Sequence, residues 1–128
     1  MTIAEVSKKF DLSADTLRYY ERIGLIPSVS RTSGGIRDYT EEECKWVEFI
    51  KCMRGAGLPI DVLIEYFALF QQGDKTIKAR KELLIRQRNL LIVKMEDMQK
   101  TLDRLNYKID GYEQVVLTKE KGLIKPEV

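Results

Sequence analysis

The amino-acid sequence predicts a mainly α-helical protein in which a winged helix-turn-helix head is followed by one long dimerisation helix. Helix caps and turn residues are concentrated in residues 1–73, which we assign to the head. Residues 74–117 contain no proline and one glycine, and apolar side chains recur there every seven positions. This pattern predicts one helix that pairs with a partner helix. Residues 118–128 are left as a short C-terminal tail.

The composition of the 128-residue chain excludes several classes of function. The chain has no histidine, which removes the imidazole groups of Ser-His-Asp hydrolases and of HExxH zinc enzymes. Its two cysteines are too few for a disulfide-rich secreted scaffold or a four-thiolate zinc site. We therefore expect a protein that is not an enzyme and that uses no metal and no cofactor.

Charge and hydropathy patterns predict a soluble protein of the cytoplasm. Lys and Arg total 22 and Asp and Glu total 20, so the net charge is +2. This balance excludes a basic tail but allows a local basic surface. The chain has no apolar run long enough to span a membrane and no signal peptide at its N-terminus, so we expect no membrane partner.

Two short helices joined by a tight turn are predicted at the start of the chain. Thr2 and Glu5 form a capping box, and apolar residues at helical spacing extend the first helix to about Phe10. After a short turn, Ser13 is a suitable N-cap for a second helix that ends at Gly24. This arrangement is typical of a helix-turn-helix.

A hairpin and two further helices complete the predicted head. Gly34–Gly35 lie between short strand-forming segments, as expected for the turn of a small wing. Residues 40–43 form a second capping box, which begins a third helix that ends near residues 55–57. Pro59 is well placed in the first turn of a fourth helix, and Gly73 can end that helix.

The long helix carries two apolar series, each with a period of seven residues. A helix with such a narrow apolar stripe needs a partner helix, and the chain has no second long helix. The simplest partner is therefore the same helix of another copy. The predicted dimerisation residues are Leu84, Leu91, Met95, Met98, Leu102, Leu105, Ile109 and Tyr112, and Val116 continues the second series.

The second helix and the hairpin share a basic surface. Arg18 and Arg22 are four residues apart and lie on one helix face, while the hairpin adds Arg31 and Arg37. Between Thr16 and Arg37, Glu21 is the only acidic residue. Because arginine binds phosphate and guanine, helix and wing are predicted to bind double-stranded DNA. The competing interpretation is a solvated helix face with alternating charges.

The order of these motifs resembles the MerR family of bacterial transcription regulators. The resemblance rests on TLRYYERIGLI at 16–26, GIRDYT at 35–40, CMRGAGLPI at 52–60 and the long heptad helix. It implies a homodimer joined by an antiparallel coiled coil. It also implies binding to the overlong spacer between promoter elements, and activation of RNA polymerase there by untwisting and bending the DNA.

The resemblance also assigns functional residues. It places DNA contacts on Ser13, Arg18, Tyr19, Tyr20, Arg37, Tyr39 and Arg54. In one place the chain departs from the family pattern, because many members have a wing tyrosine where this chain has Ile36. The phosphate contact of that tyrosine is therefore lost, and we expect Ile36 to pack against the domain instead.

The positions of the cysteines bear on the signal that is sensed. Metal-responsive relatives carry cysteines at and beyond the long helix, but this chain has none after Cys52. Cys52 lies between Lys51 and Arg54, two cations that can favour a thiolate. It resembles the cysteine proposed to react in the NmlR/AdhR-like branch, which is associated with aldehyde or nitrosative stress. Cys44 follows an acidic run and is not expected to react.

Four competing interpretations accompany this prediction. Cys52 could be a buried apolar residue of the third helix, and the signal could be one that needs no thiol. A coiled-coil adaptor whose head binds protein would also have a long helix, although the pattern of Arg and Tyr on helix and wing disfavours it. An enzyme is disfavoured because most carboxylates lie in helix caps or on solvated helix faces.

Overall fold

The computed structural model describes residues 1–112 of the chain, and these residues are mainly helical. The elements are α1 (Ile3–Phe10), α2 (Ala14–Arg22), α3 (Glu41–Gly55), α4 (Ile60–Gln71), a 3₁₀ turn (Asp74–Thr76) and α5 (Ile77–Gly111). This order confirms the predicted fold class, a helix-turn-helix head followed by one long helix. No helix in residues 1–112 is both long enough and apolar enough to cross a membrane.

The chain divides into two compact units, residues 1–87 and residues from 88 onward, so the division falls within α5. The first unit therefore contains all of the predicted head together with the first turns of α5. The functional boundary predicted between residues 73 and 74 stays a prediction. The final part of the predicted coiled coil, with Val116, and the tail at 118–128 lie outside the described residues.

One apolar core holds the first four helices together. These helices have 8 to 15 residues, too few for a stable helix in water unless an apolar face is buried. The core also takes in the segment between α2 and the hairpin. Its most deeply buried side chains are Val6, Leu17, Leu25, Ile26, Val47, Ile50 and Leu63.

Side-chain caps begin α1, α2 and α3 where the sequence predicts them. Thr2 Oγ1 accepts a hydrogen bond from the Glu5 amide at 3.1 Å, and Glu5 Oε1 accepts one from the Thr2 amide at 2.9 Å. Thr40 and Glu43 form the same reciprocal pair at α3, with distances of 3.2 and 2.9 Å. The Ser13 hydroxyl accepts from the amide three residues further on. These bonds satisfy amides that a helix leaves unpaired in its first turn.

The predicted hairpin forms, but its strands are reduced to a single antiparallel bridge between Arg31 and Arg37. Gly35 occupies the turn with φ +82°, a left-handed conformation that favours glycine. At the base of the hairpin, the amides of Val29 and Ser30 donate to glutamate carboxylates rather than to a neighbouring strand. The wing is thus held by side chains of the helices in addition to backbone bonds between its arms, which join Thr32 to Ile36 and Asp38 to Ser30.

The expectation that Ile36 packs against the domain is wrong. Its side chain is 65 % exposed, and it is not part of the apolar core. Ile36 lies on the turn side of the bridge between Arg31 and Arg37, where the hairpin extends away from the helices that form the core.

α5 exposes most of its predicted dimerisation residues. Leu84 and Leu91 are half-buried, and the most deeply buried residue of α5 is the neighbouring Leu83. The remaining six are between 45 % and 71 % exposed: Met95, Met98, Leu102, Leu105, Ile109 and Tyr112. An apolar stripe of this length in contact with water is typical of helices that pair with another helix.

Replacing Glu43 with alanine should destabilise the head. The buried Glu43 carboxylate accepts from the Thr40 amide and from the amide and hydroxyl of Ser30, so its removal leaves part-buried donors unpaired. We expect a loss of about 2–3 kcal/mol in the free energy of unfolding. Urea unfolding at fixed protein concentration measures it. Glu41→Ala, in the same first turn but exposed, is the matched control, and equal losses in both variants would contradict the assignment.

Candidate nucleic-acid interface

The exposed face of α2 carries three of the predicted DNA contacts. Ser13 lies at the N-terminus of the helix, and Arg18 and Tyr19 follow along it with their side chains in contact with solvent. Arg18 Nη1 lies 3.0 Å from Asp15 Oδ1, and both side chains are largely exposed. Such a pair is weak in water, so Arg18 can exchange its partner for a phosphate. The Arg22 guanidinium lies 5.4 Å from the centre of the Tyr19 ring.

The wing places a further arginine beside α2. Arg37 Nε donates to Glu21 Oε1 at 2.8 Å, and the two side chains are 23 % and 14 % exposed. The terminal nitrogens of Arg37 make no hydrogen bond within residues 1–112. Arg31 is tied to the turn itself, since its Nη1 donates to the Gly35 carbonyl at 3.0 Å.

Glu21 is charged although it is mostly buried. Burial raises the pKa of its carboxyl, but the hydrogen bonds from Arg37 and the Val29 amide, with attraction from Arg37 and Arg31, lower it by more. The net result is a pKa below the ordinary value. At neutral pH the carboxylate is therefore an acceptor with both oxygens engaged, Oε1 by Arg37 and Oε2 by Val29.

Tyr20 and Tyr39, also predicted as DNA contacts, lie in the core rather than on the surface. Burial is the main reason that the pKa of each phenol is raised. The Tyr39 hydroxyl is buried and has no hydrogen-bond partner. In this conformation it is not presented to a duplex, so the structure does not fit a direct contact by Tyr39.

Arg54 lies in the last turn of α3, away from the wing in sequence. Its side chain is exposed, and Nη1 donates to the Leu58 carbonyl at 2.7 Å. This bond ties the end of α3 to the loop before α4. The arginine thus has a structural role in addition to the predicted DNA contact.

The two cysteines of α3 differ in accessibility. Cys52 is exposed, so the interpretation that it is a buried apolar residue is wrong. Cys44 is buried, and burial is the main cause of its raised pKa, which disfavours the thiolate. The cations beside Cys52 are engaged elsewhere: Lys51 donates to the Phe10 carbonyl and Arg54 to that of Leu58. Within residues 1–112, no cluster of three His, Cys, Asp or Glu side chains could hold a metal.

Comparison with known proteins decides the family. Residues 1–69 match the MerR HTH family regulatory proteins, and residues 45–107 match the DNA-binding region described for MerR proteins. The chain belongs to the MerR family. The HTH-type transcriptional regulator AdhR of Bacillus subtilis (strain 168) is 62 % identical to this MerR chain over 92 residues, which cover 72 % of the chain and 66 % of AdhR. An uncharacterised HTH-type regulator of Haemophilus influenzae is 28 % identical over 128 residues, covering 99 % of the chain and 95 % of that protein.

Solved MerR structures share the fold. A MerR family regulator from Listeria monocytogenes superposes with a TM-score of 0.87 at 46 % identity, over 96 % of this chain and 93 % of its own. HiNmlR, described as a MerR family regulator that lacks the sensor domain and is bound to promoter DNA, gives 0.80 at 29 % identity, over 88 % and 90 %. These relatives confirm the AdhR/NmlR branch. They are named as transcriptional regulators, in agreement with the prediction that this MerR chain is not an enzyme.

Two residues of the interface were not found from the sequence. Glu21 and Glu43 accept hydrogen bonds from amides at the base of the wing. The sequence indicated only that Glu21 is an acidic residue of the second helix and that Glu43 caps the third. One signal was present for Glu21, since it is the only acid between Thr16 and Arg37. A lone acid in a basic segment is a candidate for a structural ion pair.

Proposed function

We propose that the chain is a homodimeric MerR-type regulator that binds the spacer of a promoter with α2 and the wing and activates transcription by distorting that DNA. The observation that carries this proposal is the exposed face of α2, with Arg18 and Tyr19, next to Arg37 of the wing, whose side chain is 23 % exposed. Duplex binding by a recognition helix and a neighbouring wing requires cationic groups on both.

The proposed contacts differ in kind. Arg18 and Arg37 have guanidinium nitrogens that can fork onto phosphate, and Ser13 and Tyr19 add hydroxyl groups at the same surface. Arg54 is proposed as a further phosphate contact at the end of α3. Tyr20 and Tyr39 are proposed to support this surface from the apolar core, in which both are buried.

Homodimer formation is proposed from the uncovered stripe of α5. Six apolar side chains at heptad spacing are exposed along one helix, which a second copy of the same helix can bury. An antiparallel arrangement would place one head at each end of the paired helices. Two heads would then contact two half-sites of the promoter, where RNA polymerase is the proposed second partner.

We propose an electrophile, such as an aldehyde, as the signal and Cys52 as the group that senses it. The thiolate sulfur would form a bond to the carbonyl carbon, and the carbonyl π electrons would move to oxygen, which takes up a proton to give a hemithioacetal. Support comes from the exposure of Cys52 and from the likeness to AdhR. A signal that needs no thiol is the alternative. It is favoured by the hydrogen bonds of Lys51 and Arg54, which go to backbone carbonyls and not to the Cys52 sulfur.

Arg18→Ala should weaken operator binding by about tenfold or more. The lost guanidinium should also flatten the dependence of log K on log salt by about one unit per subunit. Fluorescence anisotropy with promoter DNA at several salt concentrations measures both values. Arg86→Ala removes an exposed arginine of α5, outside α2 and the wing, and serves as control. Binding of Arg18→Ala that equals wild type would refute the proposed surface.

Leu105→Asp should convert the dimer to monomers at micromolar concentration and abolish operator binding. An unpaired carboxylate in a water-free helix interface costs several kcal/mol. Tyr107→Asp is the matched control, because Tyr107 is 67 % exposed and lies two residues from Leu105, outside both heptad series. Sedimentation velocity should detect monomers of the first variant and dimers of the second. Dimers of Leu105→Asp would contradict the proposed interface.

Cys52→Ser should bind the operator like wild type and fail to respond to an added aldehyde in run-off transcription. Cys44→Ser should respond normally, because the Cys44 thiol is buried and its pKa is raised. Mass spectrometry of the native protein after brief alkylation should find the label on Cys52. A normal aldehyde response by Cys52→Ser would leave a MerR regulator with a signal other than a thiol adduct.

A further inference from the structure

One carboxylate connects the recognition helix to both arms of the wing. Glu21 is in the last turn of α2, and its two oxygens bind different parts of the hairpin. Oε2 accepts from the Val29 amide at 3.0 Å, at the start of the first arm. Oε1 accepts from Arg37 Nε at 2.8 Å, on the second arm. We name this set of Glu21, the Val29 amide and Arg37 Nε the Glu21 clamp.

We propose that Glu21 is a positioning residue for operator recognition, one that fixes the wing against α2 and aims Arg37 at the DNA backbone without touching DNA itself. This inference rests on the proposed function, since it takes Arg37 as a DNA contact. It adds a role for an acid within a basic surface, where a negative charge by itself opposes binding.

The geometry of Arg37 supports this role. Glu21 Oε1 accepts from Arg37 Nε, and the terminal nitrogens of the guanidinium make no hydrogen bond to residues 1–112. A planar guanidinium held at one edge loses little further freedom when its other nitrogens bind a phosphate. Without the clamp, a long arginine side chain on a hairpin with one bridge would sample many orientations.

The surroundings of Glu21 show that the clamp is built into the fold. Its side chain is 14 % exposed, and both oxygens are engaged by donors of the wing. The Asp15–Arg18 pair of the same helix is more exposed. Its side chains are 94 % and 48 % exposed, and it joins residues only three positions apart. An exposed pair of this kind contributes little, whereas a mostly buried pair with a second, backbone donor fixes a geometry.

Glu21→Gln tests the proposal because two explanations of the role of Glu21 predict opposite changes in operator affinity. The glutamine carbonyl can still accept from Val29, but its amide group cannot accept from Arg37 Nε. If Glu21 is only a charge, its removal makes the surface more positive and binding to any DNA becomes tighter. If Glu21 positions Arg37, operator affinity falls by about fivefold or more, while affinity for unrelated DNA stays equal or rises. Asp15→Asn is the matched control and should leave the ratio of the two affinities unchanged.

A double-mutant cycle separates positioning from general loosening of the fold. Arg37→Gln, Glu21→Gln and the double variant should show nearly the same operator affinity and the same reduced salt slope, because each loses the one oriented guanidinium. The proposal would be overturned if the losses of operator affinity in the two single variants added in the double variant. Tighter operator binding by Glu21→Gln would also overturn it. If Arg37→Gln binds the operator with wild-type affinity, the DNA contact of Arg37 in the proposed function is refuted. Failure of that contact is therefore distinguished from failure of the positioning role of Glu21.

A further variant tests the clamp even if Glu21→Gln does not fold. Arg37→Lys keeps the positive charge but lacks the planar guanidinium, so its ammonium cannot be held by Glu21 along one edge while a second, fixed edge is presented to a phosphate. Circular dichroism should show an intact fold, and operator affinity should fall about as far as in Arg37→Gln. Operator binding by folded Arg37→Lys at wild-type strength would refute the proposal.

Discussion

The orientation of the wing depends on two glutamates that reach it from different helices. The Glu21 carboxylate of α2 accepts a hydrogen bond from the Val29 amide, and the Glu43 carboxylate of α3 accepts one from the next amide, that of Ser30. A hairpin with a single bridge has little stability of its own, so its base is fixed by these bonds together with those of Met1 to Asp38 and Tyr39. The recognition helix, the wing and the third helix are therefore joined at the base of the wing, where two carboxylates accept from consecutive amides.

The second constraint lies in α5 and acts on assembly rather than on the head. The head covers its apolar residues with four short helices, whereas α5 has six exposed apolar residues at heptad spacing. Burial of that stripe against a second copy is the proposed driving force for dimerisation. The same step would bring two heads together on one promoter, so that affinity for DNA and stability of the dimer would be linked.

The features that sequence predicted correctly depend on residues close together in the chain. Thr40 and Glu43 are three residues apart, so a cap is visible in the sequence, and the long helix is visible in the run of residues that lacks proline. The pairing of Glu21 with Arg37 spans sixteen residues and depends on how the hairpin folds back on α2. The exposure of Ile36 and the burial of Tyr39 likewise depend on tertiary packing, which neither periodicity nor a family motif specifies.

α3 links the proposed sensor to the proposed DNA surface. Its first turn holds the wing through Glu43, and its later turns carry Cys52 between Lys51 and Arg54. These cations bind carbonyls at the end of α1 and in the loop before α4. An adduct on the exposed Cys52 would lie beside the two cations, and displacing either of them from its carbonyl would free α3 to shift. Because a helix of 15 residues moves nearly as a rigid rod, such a shift would reach the Ser30 amide at the base of the wing.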